Sequence, residues 1–516
     1  MTRWDEETDV LVAGSGGGLA GAYTAAREGL SVVVAEASDQ FGGTTAYSGG
    51  GGMWFPCNPV LRRAGFQDSL DDAMEYFHAV VGDRTPNELQ RAYVHGGARL
   101  IEYLEADQHF SFTPLPWPDY YGLAPHAKLD GGRHTVPEPL DAAVLGDLGD
   151  NVRGPLDFER LGCDRPDTLS GGRALIGRLL SAITAYPSAS LRLGCAVEDL
   201  VTESGAVTGA VVNDRGTRRT IRTHRGVLLA TGGFEHNAAL RKQHGVPGRS
   251  ADSMGAPANI GLALEAGIRA GAAVDLMDQA WWSPGLTHPD GRSAFALWFT
   301  GGIFVNRHGR RFVNESAPYD RIGRVIVDEL ASGSLELPYW MIYDDREGPV
   351  PPVKATNVSM AGTEKYVEAG LWHTAPSLPE LAEKIGVDPD NLVATVQRFN
   401  AFAASGVDDD FHRGDEGYDR AFSGGLSPMV PIEDGPFHAA AFGLSDLGTK
   451  GGLVTDPHGQ VINTSGTPIP GLYAAGNTMA AVSGTAYPGG GIPIGASMLF
   501  SHLAALHMAA HDARWI

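Results

Sequence analysis

The sequence predicts an α/β fold. Three observations predict it: short apolar runs of β-type residues that stop at glycine, an alanine-rich helical stretch between the first two runs, and a glycine excess that gathers at strand ends. Glycine contributes 69 of 516 residues, about 13% against about 7% in an average protein. With 43% hydrophobic residues and nine Trp the chain has ample core-forming material, which excludes disorder, and no G-X-Y period suggests a collagen-like chain.

Thr8 to Ala13 reads as the first strand, and Gly14-Ser15-Gly16-Gly17-Gly18 follows it directly. Ala22 to Glu28 reads as a helix closed by Gly29, and Ser31 to Glu36 as the next strand. In a dinucleotide-binding βαβ unit such glycines allow a tight turn, close approach of backbone N–H groups to a pyrophosphate, and close packing of helix on strand. Glu36, 22 residues after Gly14, stands where an acidic side chain takes ribose hydroxyls. The glycines fit the fingerprint in two registers. From Gly14 the third small position falls on Leu19, whereas from Gly16 it falls on Gly21. The favoured reading gives the turn to Gly14 and Gly16 and the close packing to Gly18 and Gly21.

Three more clusters follow. Phe41 to Gly52 (FGGTTAYSGGGG) is too small-sided for core and suits a loop wrapping a cofactor; Gly226 to Phe234 (GVLLATGGF) and Gly471 to Asn477 (GLYAAGN) each read as a strand ending in glycine. The last leads into Tyr487-Pro488-Gly489-Gly490-Gly491-Ile492-Pro493-Ile494-Gly495 and then an amphipathic helix, Ala496 to Ala510. A helix N-terminus near Ile494 aims its positive end at whatever fills the loop.

Charge and cysteine usage narrow the function classes. Thirty-nine Lys and Arg against 61 Asp and Glu give −22 with no long basic block, against nucleic acid or an anionic membrane surface as partner. Cys57, Cys163 and Cys195 lack CxxC spacing, so neither a disulfide framework nor structural zinc is expected, and none of the 17 His shows metal spacing. The start, MTRWDEE, is acidic where a secretory signal is basic, and no uninterrupted apolar run reaches about 18 residues. A cytoplasmic protein without stable membrane insertion is expected.

GSGGG near the start, EASDQFGGTTAYSGG, LLATGGF, LYAAGNT and YPGGGIPIG, together with DQAWWSPG, NESAPYDRIGR and SDLGTKGGLVTD, resemble the 3-ketosteroid Δ1-dehydrogenases, within the fumarate reductase-like flavoproteins. The resemblance runs the length of the chain. It implies a Rossmann-like FAD-binding domain built from both chain ends (1–278 and 450–516) and an inserted α+β catalytic domain (279–449). Within the insert the composition turns aromatic and proline-rich, and Leu378 to Ile385 reads as a charged helix; Asn259 to Gly271, just before it, is helix-like. The resemblance implies noncovalent FAD held by Gly14, Ser15, Gly16, Gly17 and Gly18, by Glu36 and Ala37, and by Gly42, Gly43, Thr44, Thr45, Ser48, Gly49 and Gly50. It adds Ala196 and Val197, Ala230, Thr231 and Gly232, Gly476 and Asn477, and Pro493 and Ile494.

Desaturating adjacent carbons needs two sinks. In a 3-ketosteroid the C2 hydrogen is acidified by the carbonyl and leaves as a proton, whereas the C1 hydrogen leaves as hydride, for which flavin N5 is a competent acceptor. The protein must supply a base at C2, donors to the C3 oxygen and an apolar slot. Tyr487 and the flexible Gly491 have the makings of an oxyanion-type donor pair, and the resemblance assigns them that role. It assigns Tyr319 as base, with Tyr120 as hydrogen-bonding helper. A free phenol titrates near pH 10, so the base needs a neighbour that stabilises the phenolate or relays the proton. Trp54, Phe295, Trp298 and Phe299 are candidates for steroid contact, although core is the commoner fate of such residues.

Three other readings stand beside this one: a 3-ketosteroid Δ4-(5α)-dehydrogenase, a fumarate- or urocanate-type reductase, and a flavin-binding protein without catalysis. A reductase of that type needs Arg or His converging on carboxylates, where the resembling segments offer tyrosines and aromatics. The electron acceptor, quinone-like or an artificial dye, is not specified by the sequence.

Overall fold

The computed structural model describes residues 3–423 and 426–511, so the terminal residues of the unit expected over 1–278 and 450–516 lie outside the described residues. Strand β1 (Glu6–Ala13), helix α1 (Gly18–Arg27) and strand β2 (Val32–Glu36) form the expected βαβ unit. The helix starts four residues earlier than its alanine-rich stretch, because Gly18 and Gly21 lie inside it. Each glycine costs helix stability of about 1 kcal/mol relative to Ala. Here both are needed for contact. A Cβ on Gly18 would stand 3.0 Å from Val12 Cγ1 on β1, and one on Gly21 would stand 2.7 Å from Leu228 Cδ2 and 2.8 Å from Ser501 O. Gly14 makes the turn, with φ +94° and Ala230 O only 2.2 Å from where its Cβ would be. The favoured register therefore holds, with Leu19 fully buried in α1.

β1 pairs in parallel with β2 on one side and with strand Thr217–Leu229 on the other; Thr217–Leu229 pairs in parallel with Pro468–Ala474, and β2 with Ala189–Leu193. In register, Ala13 stands opposite Ala35 and Leu229, and Leu229 opposite Ala474. Four strands, two early, one from the middle and one late in the chain, thus end side by side at one edge. Chain order reverses at β1, which is where open α/β sheets bind ligands.

A second sheet takes all its strands from between Ala280 and Thr449, antiparallel throughout, with Phe437–Thr449 pairing Ala280–Thr287 on one side and Tyr339–Asp344 on the other. Its helices include Leu378–Ile385, as expected, and Tyr319–Ser332.

Three local expectations change. The Phe41–Gly52 loop contains a short helix, α2 (Gly43–Tyr47), and the helix expected over 259–271 is confined to Leu262–Arg269. The last helix runs Ile492–Ala510 and is not amphipathic; Ile492, Gly495, Met498, Phe500, Ser501, Ala504 and Ala505 are buried, so nearly every face is covered. It packs on α1 and on helix Asn87–Glu105, and a helix apolar all round belongs in such a setting. By length and composition it could cross a membrane, and 61% of its apolar window is buried inside the protein.

Candidate active site

The aligned strand ends build a cradle. Ser15 ties the first glycine loop to the second: its N–H and Oγ–H donate to Glu36 Oε2 at 3.0 and 2.6 Å, and its Oγ accepts from Gly42 N at 2.8 Å. Ser38 N and Oγ donate to Glu36 Oε1, both at 2.9 Å, so the carboxylate is fixed at the end of β2 by four donors. Thr44 Oγ1 accepts from Ala256 N and Asn259 Nδ2, and Thr478 Oγ1 accepts from Thr231 N while donating to Gly232 O.

Several positions expected to touch cofactor form a half-buried band in otherwise buried surroundings. Gly16, Gly43, Thr44, Thr45 and Ser48 belong to it, with Thr231, Gly232, Gly476, Asn477, Pro493 and Ile494. Gly17, Gly18, Gly42, Val197 and Ala230 are buried behind it; Ala196 is half-buried at the start of a strand beside β2. Ala37, Gly49 and Gly50 are exposed at the rim.

Two helix N-termini converge on the band. A Cβ on Gly17, at the start of α1, would lie 2.0 Å from Ser497 Oγ in the first turns of the last helix, and one on Gly476 would lie 2.6 Å from the same oxygen. Side-chain-free backbone and two positive helix ends fit a dinucleotide pyrophosphate and an electron-rich ring edge.

Beside the cradle, tyrosines from three separated segments meet. Tyr319 opens helix Tyr319–Ser332, Tyr487 opens the glycine loop, and Tyr120 lies in a loop whose N–H donates to Pro488 O at 2.9 Å. Tyr319 Oη–H donates to Tyr487 Oη at 3.0 Å, and Gly491 N–H donates to the same oxygen at 3.4 Å. Tyr120 stands edge-on to both rings, with centroids 5.6 Å from Tyr319 and 5.2 Å from Tyr487. Glycines permit this density. Gly491 has φ +86° and would bring a Cβ to 2.2 Å from Gly52 O; a Cβ on Gly490 would meet Tyr120 Oη at 2.9 Å. Burial drives all three phenols above their ordinary range, so each is protonated at neutral pH. A tyrosine acting as base here therefore works through its hydrogen-bonded neighbours.

The structure sorts the aromatic candidates. Phe295 lies edge-on to Tyr319 at 4.8 Å and belongs to the site. Trp298, held at φ +61°, stacks on Phe422 (4.7 Å), lies 5.2 Å from Trp117, and helps bound a small cavity that reaches Tyr319. Phe299 borders that cavity but packs on Phe304 and Phe442. Trp54 does not join the site. It is fully buried behind the glycine loop, and its indole donates to Asp119 at 2.7 Å, where Arg133 also donates at 2.7 Å. Its service is to hold the segment that carries Tyr120.

Two residues beside the tyrosines escaped sequence reasoning. Trp281 lies 4.8 Å from Tyr487 and donates to Asn477 Oδ1 at 3.1 Å, and Lys450 Nζ sits 4.0 Å over the Trp281 ring. Both lie in segments that carry the resemblance, and the available signal was a lone lysine in an otherwise uncharged glycine-rich run.

An FAD binding domain model matches residues 9–494. The 3-oxosteroid 1-dehydrogenase of Mycobacterium tuberculosis is 37% identical, with 98% of each chain covered. The chain belongs to the 3-oxosteroid 1-dehydrogenase family. A solved relative, the 3-ketosteroid Δ1-dehydrogenase of Sterolibacterium denitrificans in complex with 1,4-androstadiene-3,17-dione, matches with TM-score 0.89 at 32% identity, covering 98% of this chain and 100% of that one. A 4-oxocyclohexanecarboxylate 2-dehydrogenase of Sinomonas cyclohexanicum is also similar, 36% identical over 98% of this chain and 93% of its own. The dehydrogenase fold is thus a Rossmann-like, FAD-binding α/β core with an α+β portion over it, and FAD is the cofactor.

Proposed function

We propose that the protein desaturates 3-ketosteroids between C1 and C2, with FAD held noncovalently in the half-buried band. The observation that carries this reading is the meeting of Tyr120, Tyr319 and Tyr487 with the Gly491 amide beside that band. Bound FAD supplies a two-electron acceptor for the hydride that leaves C1.

The chain's own groups do the rest. Tyr487 Oη–H and Gly491 N–H donate to the C3 oxygen and stabilise the negative charge that develops there as C2 loses its proton. Tyr319 takes that proton as its own phenolic proton passes to the neighbouring Tyr120 hydroxyl, which releases its own in turn. Phe295, Trp298 and Phe422 form an aromatic wall that suits a flat apolar ring system better than a carboxylate. Residues 1–278 with 450–516 form the cofactor unit and 279–449 the substrate unit. A cytoplasmic location without stable membrane insertion, and a quinone-like electron acceptor, complete the reading.

The test is anaerobic addition of 4-androstene-3,17-dione to the yellow holoenzyme. Bleaching with formation of the 1,4-diene supports the proposal. Bleaching with another product moves the reaction elsewhere on the ring, bleaching only by small oxocyclohexane carboxylates moves it to a single-ring substrate, and unchanged absorbance with every ketone points to a binder.

A further inference from the structure

Lys450 is fully buried at the junction between strand Phe437–Thr449 and the glycine run Gly451-Gly452. Its ammonium has three donors, and three acceptors surround it: Thr485 O at 3.0 Å, Ala486 O at 2.8 Å and the face of Trp281 at 4.0 Å. The two carbonyls immediately precede Tyr487, and the Trp281 ring packs edge-on against the Tyr487 ring. The Lys450 backbone N–H donates to Gln279 O at 2.9 Å, so its own position is fixed from the other side. Asp320, whose charge bears on the lysine, is bonded instead to Arg324 at 3.0 Å. A buried cation is costly without compensation, and this one is compensated by dipoles and an aromatic face aimed at the donor loop.

Resting on the reading above, we propose that Lys450 is a positioning residue for the oxyanion donors: it clamps the two carbonyls ahead of Tyr487 and places a positive charge beside the edge-on Trp281–Tyr487 pair, where it favours the enolate over the ketone. Only an interaction stronger with the anion than with the ketone accelerates proton removal, and a fixed, fully buried cation meets that condition. Burial lowers the ammonium to about 7, with Asp320 opposing and Arg324 reinforcing the shift, so an anion formed nearby strengthens the charged form.

The experiment compares wild type, K450M and K450R holoenzymes. Steady-state turnover of 4-androstene-3,17-dione is measured with a dye acceptor. Exchange of the steroid C2 hydrogen in D2O is followed on enzyme whose flavin has been reduced by dithionite, where the hydride step is blocked and only the proton step remains. Expected for K450M are turnover and C2 exchange slowed together by about 10- to 100-fold, KM within about threefold of wild type, and unchanged flavin content and unfolding temperature. K450R, which keeps the charge, should recover most of both rates. C2 exchange at the wild-type rate in K450M overturns the proposal, as does a K450R no faster than K450M with flavin retained in both. If wild type itself makes no 1,2-unsaturated product, the failure belongs to the proposed reaction, not to the lysine.

Discussion

At the scale of the residue, the tyrosine cluster trades acidity for geometry. Burial makes every phenol in it a poor acid, yet the same burial strengthens each hydrogen bond that it donates. Tyr487→Phe and Tyr319→Phe should each lower kcat by about 10²- to 10³-fold while flavin stays bound, read from steady-state rates and the flavin absorbance of the purified variants. A near-normal rate in either removes that phenol from the mechanism. These residues were legible because each sits in a short local pattern, APYD or TAYPGGG, that constrains it strongly. Trp54 and Phe299 could not be sorted in sequence, because an aromatic in a slot and one in the core have the same composition and periodicity. Lys450 and Trp281 were given no role because their setting is made by residues distant in the chain, with Trp281, Thr485 and Ala486 all meeting one side chain.

At the scale of the element, the first βαβ unit shows how backbone space is used. Gly14, Gly21 and Gly29 differ in what an added methyl would meet. Gly29 has φ +88° and nothing within 4 Å, so Gly29→Ala should cost only about 1 kcal/mol of backbone strain. Gly21→Ala drives a methyl into Leu228 and the Ser501 carbonyl, about 1–3 kcal/mol, and Gly14→Ala combines φ +94° with a carbonyl at 2.2 Å and should cost most and lose flavin. Urea midpoints and flavin content of the three variants check the order; equal losses at Gly29 and Gly14 would refute this account of the loop. The strand–glycine–helix–strand order was legible from sequence, as was Leu378–Ile385. The covered character of Ile492–Ala510 was not, because its Ser and His suggested a polar face, and only packing on α1 shows that Ser501 and His502 are buried.

At the scale of the whole molecule, the cofactor band joins the ends of four parallel strands that are distant in sequence. FAD binds the native arrangement and not the unfolded chain, so its removal should lower stability, by about 2.7 kcal/mol relative to protein with free FAD at 100 times its Kd. Thermal unfolding of protein stripped of flavin, with and without added FAD, measures this; a midpoint independent of FAD would contradict it. The sheet's assembly from both chain ends was implied by the family resemblance, with glycine turns marking the strand ends, whereas the three-way meeting of tyrosines depends on how the antiparallel sheet sits on that edge, which no local pattern encodes. The same row of strand ends has a consequence for the cell. A chain whose distant parts are fastened by a vitamin-derived ligand is protected from proteolysis in proportion to the supply of that ligand. Riboflavin starvation should therefore deplete the protein itself, beyond leaving it inactive.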